Sequence, residues 1–101
     1  MKVLYIAPGS KPEEREIEDK PSVIADLIGG TPLAMPFPLD WAAMLIDPRA
    51  SWRKDAAPNI RYKGAQFYGP VIIVGMQRDR HLPLTKEQVT RYTEMFGGGD
   101  K

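Results

Sequence analysis

The sequence contains no cysteine and a single histidine, His81, among its 101 residues. The absence of cysteine excludes disulfide bonds and thiolate metal sites, and it fits a reducing compartment. A zinc site would need mostly carboxylates, and no clustered spacing of acidic residues supports one. We therefore expect a cytoplasmic protein that uses no metal and no cofactor.

Side chains that act as nucleophiles or bases are equally scarce. The serines are limited to Ser10, Ser22 and Ser51. A lone histidine without a serine or carboxylate motif beside it is typical of an ordinary surface residue rather than of a general base. The acidic run at residues 13–19 predicts a solvated face, because a catalytic pair of carboxylates needs a shared cleft. The sequence predicts no catalytic residue, and an enzyme is the less favoured class.

The length and composition are those of one small globular domain. Hydrophobic residues make up 43% of the chain and charged residues 27%, an ordinary balance for a folded protein. The opening run, residues 1–8, is too short for a signal peptide or a membrane span, and residues 2–7 predict a strand. We predict one domain over residues 1–96 and a flexible C-terminal tail over residues 97–101.

Apolar alternation and β-branched runs predict the remaining strands. Apolar side chains at every second position of residues 31–37 point to one side, and the prolines in this segment favour an edge strand. Residues 41–46 predict the second strand of a hairpin with it. The unbroken run at residues 71–74 is typical of a central strand buried on both faces. The charged stretch 11–18 predicts a surface excursion.

Apolar residues at helical spacing predict two helices. The first is capped by Asp19, presents its apolar face over residues 23–28 and ends at Gly29. The second is capped by Thr85, with Gln88 three residues later as in a capping box. Together these elements predict an α+β fold: a mainly antiparallel sheet of four or five strands with two helices packed on it.

The net charge of +1 conceals an uneven distribution. Residues 1–47 carry four basic and eight acidic side chains, whereas residues 48–80 carry seven basic and two acidic ones. The two parts could neutralise one another across the fold, or the basic part could form a surface for an anionic partner. Both interpretations stay open, and neither nucleic acid nor a membrane is the expected partner.

The candidate ligand-binding residues lie in the long aperiodic segment 48–63, since long loops inside small domains are often functional. Arginine offers a planar fork for phosphate or carboxylate, and aromatic side chains can stack on a base. The predicted set, which would form one basic surface with residues 78–81, is Arg49, Trp52, Arg53, Arg61 and Tyr62. The alternative is that the two aromatic rings fill the core while the arginines remain in water.

Short segments spread over nearly the whole chain carry a family resemblance. They are Met1–Gly9, Ile17–Asp19 with the helix that ends at Gly29-Gly30, Pro58-Asn59, Gly69–Gly75 and the helix Leu84–Phe96. In this order they resemble the domain of unknown function 3846 family. The resemblance implies a small protein of phages, plasmids and other mobile elements of bacteria, often encoded near counter-defence genes. It implies no catalytic residue.

Three classes of function are compatible with these features. The first is a small non-enzymatic binding protein, a counter-defence accessory that sequesters an anionic nucleotide-like signal or blocks a host defence protein. The second is an enzyme with an unrecognised site that degrades a nucleotide signal. The third is a purely structural subunit that associates with itself. We expect a homo-oligomer, because a small chain gains buried area by association, with the apolar strand at residues 42–46 as the contact.

Overall fold

The structure is a computed structural model, and it describes residues 1–37 and 40–97. In chain order the elements are β1 (Lys2–Ile6), β2 (Glu13–Glu16), α1 (Pro21–Ile28), β3 (Leu33–Pro36), β4 (Ala42–Ile46), a short 3-10 helix (Ala50–Trp52), β5 (Pro58–Tyr62), β6 (Ala65–Tyr68), β7 (Val71–Gln77), β8 (Arg80–Leu82) and α2 (Lys86–Gly97). None of the helices in these two ranges is long and apolar enough to cross a membrane.

Six strands form one antiparallel sheet in the order β2-β1-β7-β4-β3, with β8 paired to β7. The strands β5 and β6 form a separate hairpin. The predicted α+β fold is confirmed, and the main sheet has more strands than the four or five expected. The strands that the sequence pattern did not predict are β2 and β8 in the main sheet and β5 in the separate hairpin, and each carries charged side chains that conceal the apolar alternation.

The strand β2 corrects the prediction of a surface excursion at residues 11–18. Its glutamates have low β-propensity, yet its main chain pairs with β1 from Lys2 opposite Glu16 to Tyr5 opposite Glu13. Pairing satisfies the hydrogen-bonding requirement of the backbone N–H and C=O groups of β1. The side-chain pattern of β2 gives no sign of this requirement. The chain therefore covers the edge of β1 with a charged strand.

The strand β7 is the centre of the molecule, between β1 and β4. Residues 71–74 are fully buried, as the continuous apolar run predicted. Alternate side chains enter two cores because successive residues of a strand point to opposite faces. Val71 and Ile73 join the core beneath α2, and Ile72 and Val74 join the core beneath α1. The sheet is thus a layer between the two helices.

The predicted hairpin of β3 and β4 is present, with register from Leu33 opposite Ile46 to Pro36 opposite Ala43. As its prolines predicted, β3 lies at the end of the sheet. All five residues of β4 are buried, and the strand pairs with β3 on one side and β7 on the other. The expectation that β4 forms a contact between copies is wrong, because it has neither a free edge nor an exposed face.

The helix α1 ends as predicted and begins differently. Gly29 adopts a left-handed conformation with φ 88°, and its N–H donates to the Ala25 carbonyl oxygen at 2.7 Å. The predicted N-cap is wrong, because Lys20 precedes the first helical residue and no side chain caps the helix. The carboxylate of Asp19 instead lies 2.9 Å from Nδ1 of His81. This contact ties the entry of α1 to β8.

The helix α2 begins with the predicted capping box. The Gln88 N–H donates to the Thr85 hydroxyl oxygen at 3.1 Å, and the Thr85 N–H donates to Oε1 of Gln88 at 3.0 Å. The predicted tail starts at Gly97, which is the buried last residue of the helix. The remainder of that tail, residues 98–101, lies outside the described residues.

Candidate functional site

Arg53, one of the predicted ligand residues, is engaged within the fold. Its Nη2 donates to the carbonyl oxygen of Gly29 at 2.8 Å and to Oδ2 of Asp47 at 2.5 Å. The Asp47 side chain is only 4% exposed, so Arg53 neutralises a buried carboxylate. The guanidinium also meets the carbonyl end of α1, where positive charge is favourable. Arg53 therefore anchors the segment after β4.

The carboxylate of Asp47 also shapes the turn that follows it. Its Oδ1 accepts the N–H of Arg49 at 2.9 Å, and its carbonyl oxygen accepts the N–H of Ala50 at 3.1 Å. Gly30 lies against the same carboxylate, because a Cβ at that position would be 2.5 Å from Oδ2. The close approach of the α1 exit to Asp47 thus requires glycine at position 30.

These contacts hold Trp52 in an outward position. Its side chain is 79% exposed, and its N–H donates to the Arg49 carbonyl oxygen at 3.0 Å. Arg49 and Lys54 are exposed on either side of it in sequence. We call residues 49–54 the Trp52 platform. Trp52 does not fill the core, so that alternative from the sequence is wrong for this residue.

Arg61 and Tyr62 lie on β5, in different surroundings. The Tyr62 ring packs edge-on against Phe37 with centroids 5.1 Å apart, and its centroid is 6.1 Å from that of Phe96. Tyr62 therefore packs against the core beneath α2, as the alternative interpretation expected, whereas Arg61 is exposed. Of the five predicted residues, the structure brings Arg49, Trp52 and Arg53 together in the turn of the Trp52 platform, apart from Arg61 and Tyr62 on β5.

A concave site lies at the start of β4. Its volume is about 430 Å³, which is within the range of small-molecule sites. Its walls come from the end of β3, the start of β4, β7 and the turn after β7, through Pro36, Phe37, Asp40, Trp41, Ala42, Met76 and Arg78. We call it the Trp41 pocket, because Trp41 presents a side chain that is 65% exposed.

The backbone of Trp41 is held by two hydrogen bonds. Its carbonyl oxygen accepts the N–H of Met76 at 2.8 Å and the Nε2 of Gln88 at 3.2 Å. One donor belongs to β7 and the other to α2, so the position of the tryptophan depends on both elements. The main chain beneath the ring is therefore fixed, while the ring itself remains accessible.

The neighbouring carboxylate of Asp40 accepts hydrogen bonds from three side chains of α2. Arg91 Nη1 donates to Oδ2 at 2.6 Å, Gln88 Nε2 donates to Oδ1 at 3.2 Å, and the Tyr92 hydroxyl also donates to Oδ2. Burial alone would raise the pKa of Asp40, but the hydrogen bonds from Tyr92 and Gln88 and the charge of Arg91 outweigh it. The pKa of Asp40 is consequently below its ordinary value.

The partners of Asp40 respond in the opposite direction. Burial raises the pKa of Tyr92, and the hydrogen bond to Asp40 and its negative charge raise it further. The charge of Asp40 also raises the pKa of Arg91. At neutral pH the cluster therefore consists of an ionised carboxylate, a neutral phenol and a guanidinium, and the negative charge of Asp40 is compensated by Arg91.

Arg78 supplies the cation in the wall of the pocket. It is the first residue of the two-residue turn between β7 and β8, and its φ is 60°. A left-handed conformation costs a residue other than glycine roughly 1–2 kcal/mol. The ion pairs found along residues 1–37 and 40–97 do not include Arg78. Its charge is available to a ligand.

The sequence interpretation included Arg78 in a basic surface and missed Trp41 and Asp40. The pocket combines residues 36, 37 and 40–42 with residues 76 and 78, and nothing in the linear pattern joins these segments. The sequence pattern also indicates that Trp41 is the first residue of a strand, which gives it a structural role. The signal that could have found the site is the Asp-Trp pair directly before a wholly apolar strand, because a tryptophan at a strand end has no assured place in the core.

The remaining chemistry-bearing groups do not form a metal centre. In the part of the chain that the structure describes, no three histidine, aspartate or glutamate side chains lie together as a metal ion would require. His81 pairs with Asp19 at 2.9 Å and thereby links β8 to the entry of α1. Among the described residues, the Trp52 platform and the Trp41 pocket each combine an exposed tryptophan with a basic side chain.

Comparisons with known proteins give one relationship. No curated protein and no solved structure matches the chain significantly. A family described as a domain of unknown function, DUF3846, matches residues 1–97. Since this match spans all but the last four of the 101 residues, the chain belongs to the domain of unknown function 3846 family.

Proposed function

We propose that this protein is a non-catalytic binding protein whose Trp52 platform docks on an acidic patch of a partner protein. The observation that carries the proposal is the 79% exposure of Trp52 on a turn that a buried ion pair anchors. Tryptophan and arginine are enriched among the residues that dominate protein interfaces. Arg49 and Lys54 supply positive charge on the same turn, which favours an acidic partner.

The shape of this surface favours a protein over a small ligand. Residues 51–55 are all exposed, so the turn faces outward. Arg53 is committed to Asp47, and Tyr62 is committed to the core. A small anion at this surface would therefore lose two of the five residues that the sequence assigned to it. A macromolecular partner can cover an outward turn and exclude water from around the tryptophan.

The biological setting of the proposal comes from the family resemblance. In that setting the protein acts in the cytoplasm of a bacterial host on behalf of a phage or mobile element, and it blocks a host defence protein. The competing enzyme hypothesis makes a different prediction, namely a changed product after incubation with a nucleotide signal. A binding protein returns the nucleotide intact.

The test is affinity capture from phage-infected bacterial lysate, followed by titration of the purified captured protein. Trp52→Ala should weaken binding by about 2 kcal/mol or more, the scale of a hot-spot residue. Arg49→Ala should weaken it less, and added salt should weaken the wild-type contact because exposed charges are screened. Trp41→Ala is the matched control, since it removes the other exposed tryptophan. Equal binding by all variants would refute the proposal.

Self-association is a second candidate, favoured by apolar side chains on β3. Leu33 is 50% exposed and Met35 is 36% exposed at the end of the sheet. Prolines protect this edge against strand pairing, so a contact between copies would use these side chains. We predict a dimer by light scattering at micromolar concentration and a monomer for Leu33→Glu. A wild-type mass equal to one chain would refute this candidate.

A further inference from the structure

The Trp41 pocket combines a largely exposed tryptophan with apolar lining residues. The Trp41 side chain is 65% exposed, while its carbonyl oxygen is fixed by β7 and α2. Phe37, Ala42 and Met76 contribute apolar surface to the same cavity. A planar ring suits such a site, because stacking on tryptophan needs one open face and tolerates many ring types.

The charge available in the pocket is positive. Asp40 lines the cavity, but its oxygens already accept hydrogen bonds from Gln88, Arg91 and Tyr92. Arg78 also lines the cavity, and it takes part in no ion pair within residues 1–37 and 40–97. Its guanidinium matches the geometry of a phosphate or a carboxylate.

The backbone at Arg78 supports a role for its side chain. The residue has φ 60°, a conformation in which glycine is unstrained and arginine is not. A positive φ is the geometry of the first residue in a two-residue hairpin turn, so the turn fixes the point from which the Arg78 side chain leaves the main chain. A purely structural turn at this position would be served better by glycine.

We propose that the Trp41 pocket binds a planar aromatic ring that carries one anionic group, with the ring stacked on Trp41 and the anion paired with Arg78. A single available cation sets the number of anionic groups at one. Two classes of compound combine such a ring with such an anion: nucleoside monophosphates and aromatic carboxylic acids. This site does not depend on the Trp52 platform, so either proposal can fail alone.

The experiment uses the full chain with Trp52→Phe, which leaves Trp41 as the sole tryptophan of the two in the sequence. Adenosine 5′-monophosphate and nicotinate are titrated separately while Trp41 fluorescence is followed, and adenosine and inorganic phosphate are titrated in parallel. At least one of the two anionic ring compounds should quench the fluorescence saturably. The compound that binds identifies the source. Adenosine and phosphate should each bind at least tenfold more weakly than adenosine 5′-monophosphate if that nucleotide is the ligand.

Two variants separate a binding role from a structural one. Arg78→Gly should weaken binding of the better compound at least tenfold while the melting temperature stays constant or rises, because the strain is relieved. Trp41→Ala, measured by calorimetry, should weaken binding by a similar factor. Arg80→Ala, in the strand after the turn, is the matched control and should bind normally. The proposal is overturned if neither compound binds at millimolar concentration, or if Arg78→Gly binds as wild type does.

Discussion

Two aspartates bracket the buried strand β4, and an exposed tryptophan lies within five residues of each. Asp40 precedes the strand and is followed directly by Trp41, whereas Asp47 follows the strand and begins the turn that carries Trp52. Both carboxylates accept hydrogen bonds from arginine, Asp40 from Arg91 and Asp47 from Arg53. An aspartate paired with an arginine thus occurs at both ends of one strand, and we call these two pairs with their hydrogen bonds the Asp40 anchor and the Asp47 anchor.

The two anchors differ in the origin of their partners. Asp47 is bonded by residues two and six positions further along, Arg49 and Arg53, and it reaches α1 through the contact of Arg53 with Gly29. The three side chains described as donating to Asp40 come from α2, about 50 residues away in sequence. The first anchor supports an outward turn, and the second supports the rim of a pocket. Local contacts suffice for a projecting surface, whereas the pocket exists only where distant elements meet.

The largest effect on stability should come from breaking the Asp47 anchor. Arg53→Ala leaves the buried carboxylate unpaired and should lower the free energy of unfolding by about 2 kcal/mol; the value is below that of a fully buried pair because Arg53 is partly solvated. Urea denaturation measures it. Arg49→Ala, whose backbone N–H still bonds to Asp47, should change stability by less than about 0.5 kcal/mol. Similar values for both variants would contradict the anchor.

A smaller effect should come from weakening the Asp40 anchor. Tyr92→Phe removes one hydroxyl donor and keeps the ring in the core, so it should cost about 1.5 kcal/mol, the scale of a hydrogen bond to a charged group. It should also raise the pKa of Asp40, because the Tyr92 hydrogen bond lowers that pKa. No change in unfolding free energy would show that the hydroxyl is not bonded to the carboxylate.

The pH dependence sharpens this prediction at both ends of the scale. The pKa of Asp40 is lowered from 3.8 in the folded state, so its contribution is present above that pH and is lost as the pH falls through the folded value. The pKa of Tyr92 is raised from 10.0, so its contribution is present below that pH and is lost as the pH rises further. The stability difference between wild type and Tyr92→Phe should shrink in both directions.

The smallest effect should come from the start of the helix that holds Asp40. Thr85→Ala removes the oxygen that caps α2 and should cost about 1 kcal/mol. Thr90→Ala, at an exposed position inside the same helix, is the control and should be neutral or slightly stabilising. Thermal melts compare the two. Equal melting temperatures would mean that the capping box contributes nothing in solution.

Local signals predicted much of the fold. The capping pair Thr85 and Gln88 and the left-handed Gly29 act within a few residues, so the sequence reports them directly. The apolar run at residues 71–74 predicted the centre of the sheet for the same reason. The strand β2 was missed, because its pairing is imposed by the open edge of β1 and not by its own side chains.

The candidate surfaces were predicted less completely. The sequence pattern indicates a free cation at Arg53, since it does not show that Asp47 is buried or that the Gly29 carbonyl oxygen lies beside the guanidinium. Trp52 was assigned to a binding surface, and its exposure is consistent with that interpretation. The Trp41 pocket was missed, because its residues at positions 36, 37, 40–42, 76 and 78 meet only through the pairing of β3 with β4 and of β4 with β7.

Whether the two exposed tryptophans serve different ligands can be tested directly by NMR. The indole N–H signals of Trp41 and Trp52 in ¹⁵N-labelled protein can be followed by NMR while adenosine 5′-monophosphate or nicotinate is added. We predict that the Trp41 indole and the Arg78 backbone amide shift with the compound that binds, while the Trp52 indole remains unmoved. A shift at Trp52 with none at Trp41, or equal shifts at both, would contradict it.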